Sequence, residues 1–129
     1  MFLFGKKKTS AKEETVQKPE INTEELFQKA EELKAELDNA LDKEQKAKLL
    51  TEIGSCYFQA EDTEQAIYYY EQSLEENKQL GRAYTDLLKL YNQKRQEAAE
   101  AKDDEKIKEY MDKVQGLMQL SKDVLRGKV

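Results

Sequence analysis

The chain has no histidine, no tryptophan, a single cysteine and a single proline among 129 residues. Each scarcity removes a class of chemistry. Without histidine there is no ordinary general base near neutral pH, and the histidine-assisted routes to an activated serine or cysteine are closed. With only Cys56, an internal disulfide framework is impossible and a reducing compartment is the natural setting. A zinc site built on cysteine and histidine is excluded on the same count. With one proline and five glycines, little interrupts helix. No apolar run approaches the ~20 residues of a membrane span. A glycine-rich phosphate loop is missing, and so is the alternating ligand pattern of a calcium loop. No cofactor is expected, and no enzymatic activity.

Charge of one sign is also missing. The chain carries 22 basic and 27 acidic residues, net −5, interspersed along most of its length. A nucleic-acid binder needs a concentrated basic face, so nucleic acid is not an expected partner. The start, Met1-Phe2-Leu3-Phe4 followed by Lys6, Lys7 and Lys8, has its apolar residues before its charges, the reverse of a secretory signal. The expected location is the cytoplasm.

What the sequence does hold is helical periodicity. Residues 1–21 have none and read as a flexible basic arm, with five lysines against three glutamates, ending near Pro19. A helix is expected at about 23–41. Asn22 is its N-cap, Glu25 the capping-box partner, and Ile21 and Leu26 a hydrophobic staple. Leu26, Ala30, Leu33, Leu37, Ala40 and Leu41 form its apolar stripe. Asp42 with Gln45, and Asp62 with Gln65, open the next two helices, which end near Ala60 and Glu76. A turn at Asn77–Gly81 leads into a fourth helix carrying Tyr84, Leu87, Leu88 and Tyr91. A fifth carries Ile107, Tyr110, Met111, Val114, Leu117, Met118 and Leu125 and fades at Gly127. About five helices with short connections make an all-α fold of antiparallel neighbours. Cys56 reads as a packed small hydrophobe. Tyr68 and Tyr69 precede a core Tyr70, so at most one of them is well buried; packing against the first helix is expected, the alternative being an exposed pair that forms a contact hot spot.

An internal repeat emerges over residues 47–80. Leu50, Ile53, Gly54 and Tyr57 lie on one helix, Ala66, Tyr70 and Ser73 on the next, and Lys78 at the following turn. Gly54 and Ala66 are small where two helices approach, and Tyr57 and Tyr70 fill the volume beside them. The set resembles the tetratricopeptide repeat, departing from it at Lys78, where the family often has proline. A divergent repeat covers 81–118. Its second-helix set, Ile107, Met111 and Val114, falls seven residues later than a strict repeat would place it. Leu88 stands where a small residue is usual. Leu33, Leu37 and Ala40 match half a repeat, 33 residues before Ala66, Tyr70 and Ser73.

That resemblance implies a short tetratricopeptide-like solenoid over 22–127 and a non-enzymatic adaptor that binds a protein or peptide. The groove it implies is lined by Lys48, Thr51, Glu52, Ser55, Phe58 and Gln59 of one repeat. Arg82, Thr85, Asp86, Lys89, Asn92 and Gln93 of the next complete it. Phe58 offers an apolar anchor, and Lys48, Arg82 and Lys89 charge-assisted hydrogen bonds to an acidic segment. The alternative is a self-associating structural protein, since the fifth helix is apolar for a terminal one. The N-terminal arm adds weak contact with an anionic membrane surface as a further, less favoured, role.

Overall fold

The computed structural model describes residues 22–127; the N-terminal arm and its residue Ile21 lie outside the described residues. Five helices follow one another: α1 (Thr23–Leu37), α2 (Lys43–Gln59), α3 (Thr63–Glu76), α4 (Arg82–Glu100) and α5 (Asp104–Leu125). The fold is all-α and repeat-like, with each helix packed on the next. In addition α2 approaches α4 directly, skipping α3.

Local chemistry sets the helix starts. Asn22, Asp42, Asp62 and Asp103 all sit outside the helix, and their side chains accept from the backbone N–H three residues on. Each such cap is worth about 1 kcal/mol. The acidic caps and first-turn acids Glu24, Glu44, Glu64 and Asp104 also oppose the positive end of the helix dipole. Only α4 opens without a side-chain cap, at Gly81.

The two helix pairs α2–α3 and α4–α5 turn in the same way. Glu61 and Lys102 both adopt positive φ, 61° and 57°. Asp62 N–H then bonds to Tyr57 carbonyl, and Asp103 N–H to Ala98 carbonyl, both at 2.9 Å. These are Schellman closures of the preceding helix, and each is followed at once by the aspartate that caps the next one. The two turns lie 41 residues apart.

One expected boundary is different. The first helix stops at Leu37 instead of running to Leu41. Asp38 and Asn39 form a tight turn, with Asn39 N–H to Glu36 carbonyl and Ala40 N–H to Leu37 carbonyl. Asp42 must be extended to cap α2, and its φ of −128° leaves only this short segment to reverse the chain. Leu41 consequently leaves the apolar stripe and is 90% exposed.

The core runs continuously through all five helices. Ala30 and Leu33 of α1 join Ile53 and Tyr57 of α2 and Ala66, Tyr70 and Leu74 of α3. Leu87, Leu90 and Tyr91 of α4 and Leu117 of α5 complete it. Tyr70 is fully buried and its ring lies over Gly54. Leu88 is half-buried against the same core. On the α1 side, Tyr57 stacks on Tyr69 with ring centroids 5.7 Å apart, and Phe27 closes on Tyr57. Lys34 lies over both tyrosine rings and bonds to the Tyr57 hydroxyl at 2.9 Å. That hydrogen bond is the main cause holding the Lys34 ammonium well above the usual lysine range. Tyr69 is thus the half-buried member of its pair, while Tyr68 is exposed.

Cys56 is buried, and desolvation pushes its thiol up from the ordinary range. It has the character of a packed small hydrophobe, not of a nucleophile.

Candidate functional site

A cleft of about 660 Å³ opens where the start of α2, the end of α3 and the start of α4 meet. Its walls carry Lys48, Thr51 and Glu52 from α2 and Arg82 from α4. Four of the groove residues expected from sequence therefore converge on one concavity. Asn77, Gln79 and Gly81 of the α3–α4 turn close one end. Asp42, Glu44 and Gln45, at the N-terminal end of α2, also line the cleft. The sequence marked Asp42 and Gln45 as a capping pair, and nothing in the local pattern indicated that they and Glu44 face the same space.

From Arg82 on the cleft wall, a hydrogen-bond network runs inward and ties three helices together. Arg82 Nη1 donates to Ser55 Oγ at 3.0 Å, across the α2–α4 contact. Arg82 Nε lies 3.9 Å from Asp86 Oδ2 one turn later. Asp86 in turn accepts from the buried Tyr70 hydroxyl of α3 at 2.7 Å. Burial, then the Asp86 carboxylate, hold the Tyr70 phenol above its ordinary range, so it stays protonated and donates. A second link joins α2 and α3. Ser73 Oγ donates to Ala47 carbonyl at 2.9 Å, so its single proton is used. The Thr51 hydroxyl must therefore be the donor in the 2.7 Å contact with Ser73 Oγ.

These bonds divide the expected groove residues into two groups. Ser55 and Asp86 are buried beneath the surface, and Thr51 is half-buried; all three hold helices together. Phe58 is half-buried against Tyr70, with ring centroids 6.3 Å apart, so it is partly spent on the core. Asn92 bonds back to Leu88 carbonyl within α4. Lys48, Glu52, Gln59, Arg82, Thr85, Lys89 and Gln93 are exposed. Of these, Lys48, Glu52 and Arg82 face the cleft, whereas Thr85, Lys89 and Gln93 follow along α4 outside its walls. The cleft is electrostatically mixed. Lys48 and Arg82 share it with Asp42, Glu44 and Glu52, instead of forming a uniformly basic cradle.

Away from the cleft, α3, α4 and α5 are joined through Glu71, which accepts from the Tyr91 hydroxyl and from Lys113 Nζ. Lys113 also lies over the Tyr91 ring, 5.4 Å from its centroid. Burial and then Glu71 raise the Tyr91 phenol as Asp86 raises Tyr70. Lys94 pairs with Glu64, which holds its ammonium up. Among the described residues, no group of three or more acidic or cysteine side chains is placed to hold a metal, and no helix is long and apolar enough to cross a membrane.

Comparison with known protein families, curated proteins and solved structures gave no match for this chain.

Proposed function

We propose that the chain is a non-enzymatic protein- or peptide-binding module of the tetratricopeptide type, acting in the cytoplasm, with its partner seated between α2 and α4. The observation that carries the reading is the cleft itself. It lies between the first helices of two successive pairs and gathers exposed Lys48, Glu52 and Arg82 on its walls. Two features of the frame support it. Gly54 lies under Tyr70 in α2–α3, and Ala66 and Ser73 are buried small residues at the repeat's close-packed positions. Arg82 is tethered to Ser55 and lies beside Asp86 yet its side chain is 62% exposed, so it can meet a partner with its entropy already reduced. A mixed-charge wall suits a partner segment bearing both signs better than a purely acidic tail.

The test compares capture of partners from host lysate by the wild-type chain and by the charge-swapped double variant Lys48→Glu, Glu52→Lys, with bound proteins identified by mass spectrometry. Both residues face the cleft and are exposed, so the fold should survive. Arg82 is left unchanged, because replacing it would strip a partner from Ser55 and Asp86. A partner captured by the wild type and lost by the variant sustains the groove. Partners retained in full by the variant would reject it.

A further inference from the structure

The α2 wall of the cleft carries its charges in alternating order. Glu44, Lys48 and Glu52 all line the cleft and all are exposed. They stand four residues apart, so they form one row along the helix with a charge about every 6 Å. Arg82 adds a fourth. Its Nη1 donates to Ser55 Oγ at 3.0 Å, which holds the guanidinium level with the turn of α2 beyond Glu52. The order along the cleft is therefore negative, positive, negative, positive, over roughly 16 Å of helix. Among the described residues, Glu44, Lys48 and Glu52 belong to none of the ion pairs. Contacts among the three would be exposed pairs one turn apart, which are weak and yield readily to a partner. Beside the row, Ala47 and Ala83 are small, buried and part of the lining, which leaves room for a backbone to approach.

We propose that the cleft takes an extended segment of a partner protein whose charges alternate at every second residue, in the order Lys/Arg, Asp/Glu, Lys/Arg, Asp/Glu. The inference rests on the binding function proposed above and names the chemistry of the partner. In an extended chain every second side chain points the same way, and two residues span about 6.6 Å. That is within about 0.6 Å per step of the row on α2, a difference that long charged side chains absorb. A cation of the segment then meets Glu44, an anion Lys48, a cation Glu52 and an anion Arg82. The order also fixes the register, because a slip by one charge sets like against like at every remaining position. A helical segment could match the spacing but not the space. Its diameter with side chains is about 10–12 Å, so two turns fill roughly 850 Å³, more than the cleft of about 660 Å³ holds. A uniformly acidic or uniformly basic segment meets two like charges and is disfavoured, so the cleft selects by order of charge and not by net charge.

Two synthetic peptides, both acetylated and amidated, test the order. One is Lys-Thr-Glu-Thr-Lys-Thr-Glu and the other its isomer Lys-Thr-Lys-Thr-Glu-Thr-Glu. They share composition and net charge, and threonine favours the extended form in both. Binding to the full chain is read by isothermal titration calorimetry at about 50 mM salt, where exposed charges are little screened. The alternating peptide should bind about fivefold or more tighter than its isomer. The difference should shrink in about 0.5 M salt. The variant Lys48→Glu, Glu52→Lys keeps the net charge of the chain and turns the row into negative, negative, positive, positive. It should reverse the preference and bind the isomer more tightly, while its helical circular dichroism and melting curve stay those of the wild type. Equal binding of the two peptides by the wild type, binding of neither, or a preference that the swap leaves unreversed overturns the proposal. Capture from lysate separates this failure from failure of the groove itself. A partner lost by the swapped variant while the peptides are not distinguished removes the charge order and leaves the groove standing. Partners retained by the variant together with undistinguished peptides remove both.

Discussion

The ring of Tyr70 covers Gly54 so closely that a Cβ on residue 54 would stand 2.7 Å from Tyr70 Cδ1 and 2.8 Å from Cε1. No real methyl group occupies such space. Tyr70 is fully buried and tied to Asp86, so it cannot swing away. The glycine is therefore the condition for α2 and α3 to pack at this distance, and its helix-propensity cost of about 1 kcal/mol is offset by that packing.

Gly54→Ala should accordingly destabilise the fold by about 1–3 kcal/mol through overpacking, despite alanine's better helix propensity. Gly116, in the middle of α5, is the matched control, because an added Cβ there meets nothing within 4 Å. Gly116→Ala should stabilise by about 0.5–1 kcal/mol. Urea denaturation of the two variants beside the wild type checks both signs.

Tyr70→Phe and Tyr91→Phe remove the same atom with different consequences. The first leaves Asp86, a buried carboxylate, without its best donor, and should cost about 1–3 kcal/mol. The second leaves Glu71 with Lys113 and partial solvent contact, its side chain being 32% exposed. It should cost less, about 0.5–1.5 kcal/mol. Equal losses in the two variants, measured by chemical denaturation, would show that the Asp86 network adds nothing beyond an ordinary hydrogen bond.

Stability should fall on the alkaline side. Tyr70 and Tyr91 hold their protons more tightly in the folded chain than their ordinary value of 10.0. Lys34 and Lys94 likewise lie above 10.5. For all four the folded value is the higher one. Their contribution is thus complete below about pH 10 and is lost as the pH rises toward the folded values, because the unfolded chain releases these protons first. The buried Cys56 thiol, held above its ordinary 9.0, adds a loss that begins first, so denaturation midpoints should decline from about pH 9 and more steeply above about pH 10. Tyr70→Phe should flatten that decline, which isolates the tyrosine from the lysines.

Glu61 and Lys102 occupy the left-handed backbone region, where a non-glycine residue costs roughly 1–2 kcal/mol. Glycine removes that cost but adds about 0.4–1 kcal/mol of unfolded-chain entropy. The first effect is the larger, so Glu61→Gly and Lys102→Gly should each stabilise by about 0.5 kcal/mol. Thermal melts of the single variants and of the double variant, whose gains should add across the two separate turns, test this.

The number of helices and most of their boundaries were legible because capping and apolar spacing act over three or four residues. Asn22, Asp42 and Asp62 announce their helices without reference to anything distant. The small residues Gly54 and Ala66 also marked the close approach of α2 and α3 correctly. Where long-range geometry competes with local pattern, the reading failed. Leu41 continues the apolar period of α1, yet the need to reverse the chain before Asp42 turns it outward. The same limit applies at the cleft. Ser55, Arg82, Thr85 and Asp86 were equivalent as groove positions. Tertiary packing sank Ser55 and Asp86 into bonds reaching 27 and 16 residues along the chain, and left Arg82 and Thr85 at the surface. The apolar residues of α5 were visible as such, but whether they were core or surface depended on which face α4 covers. Sequence by itself determined the helices, their caps and the place of closest packing, since those follow from contacts within a turn or two. Only the tertiary structure decided which side chains remain free to meet a partner, because exposure is a property of what lies opposite a residue and not of the residue's own neighbours in the chain.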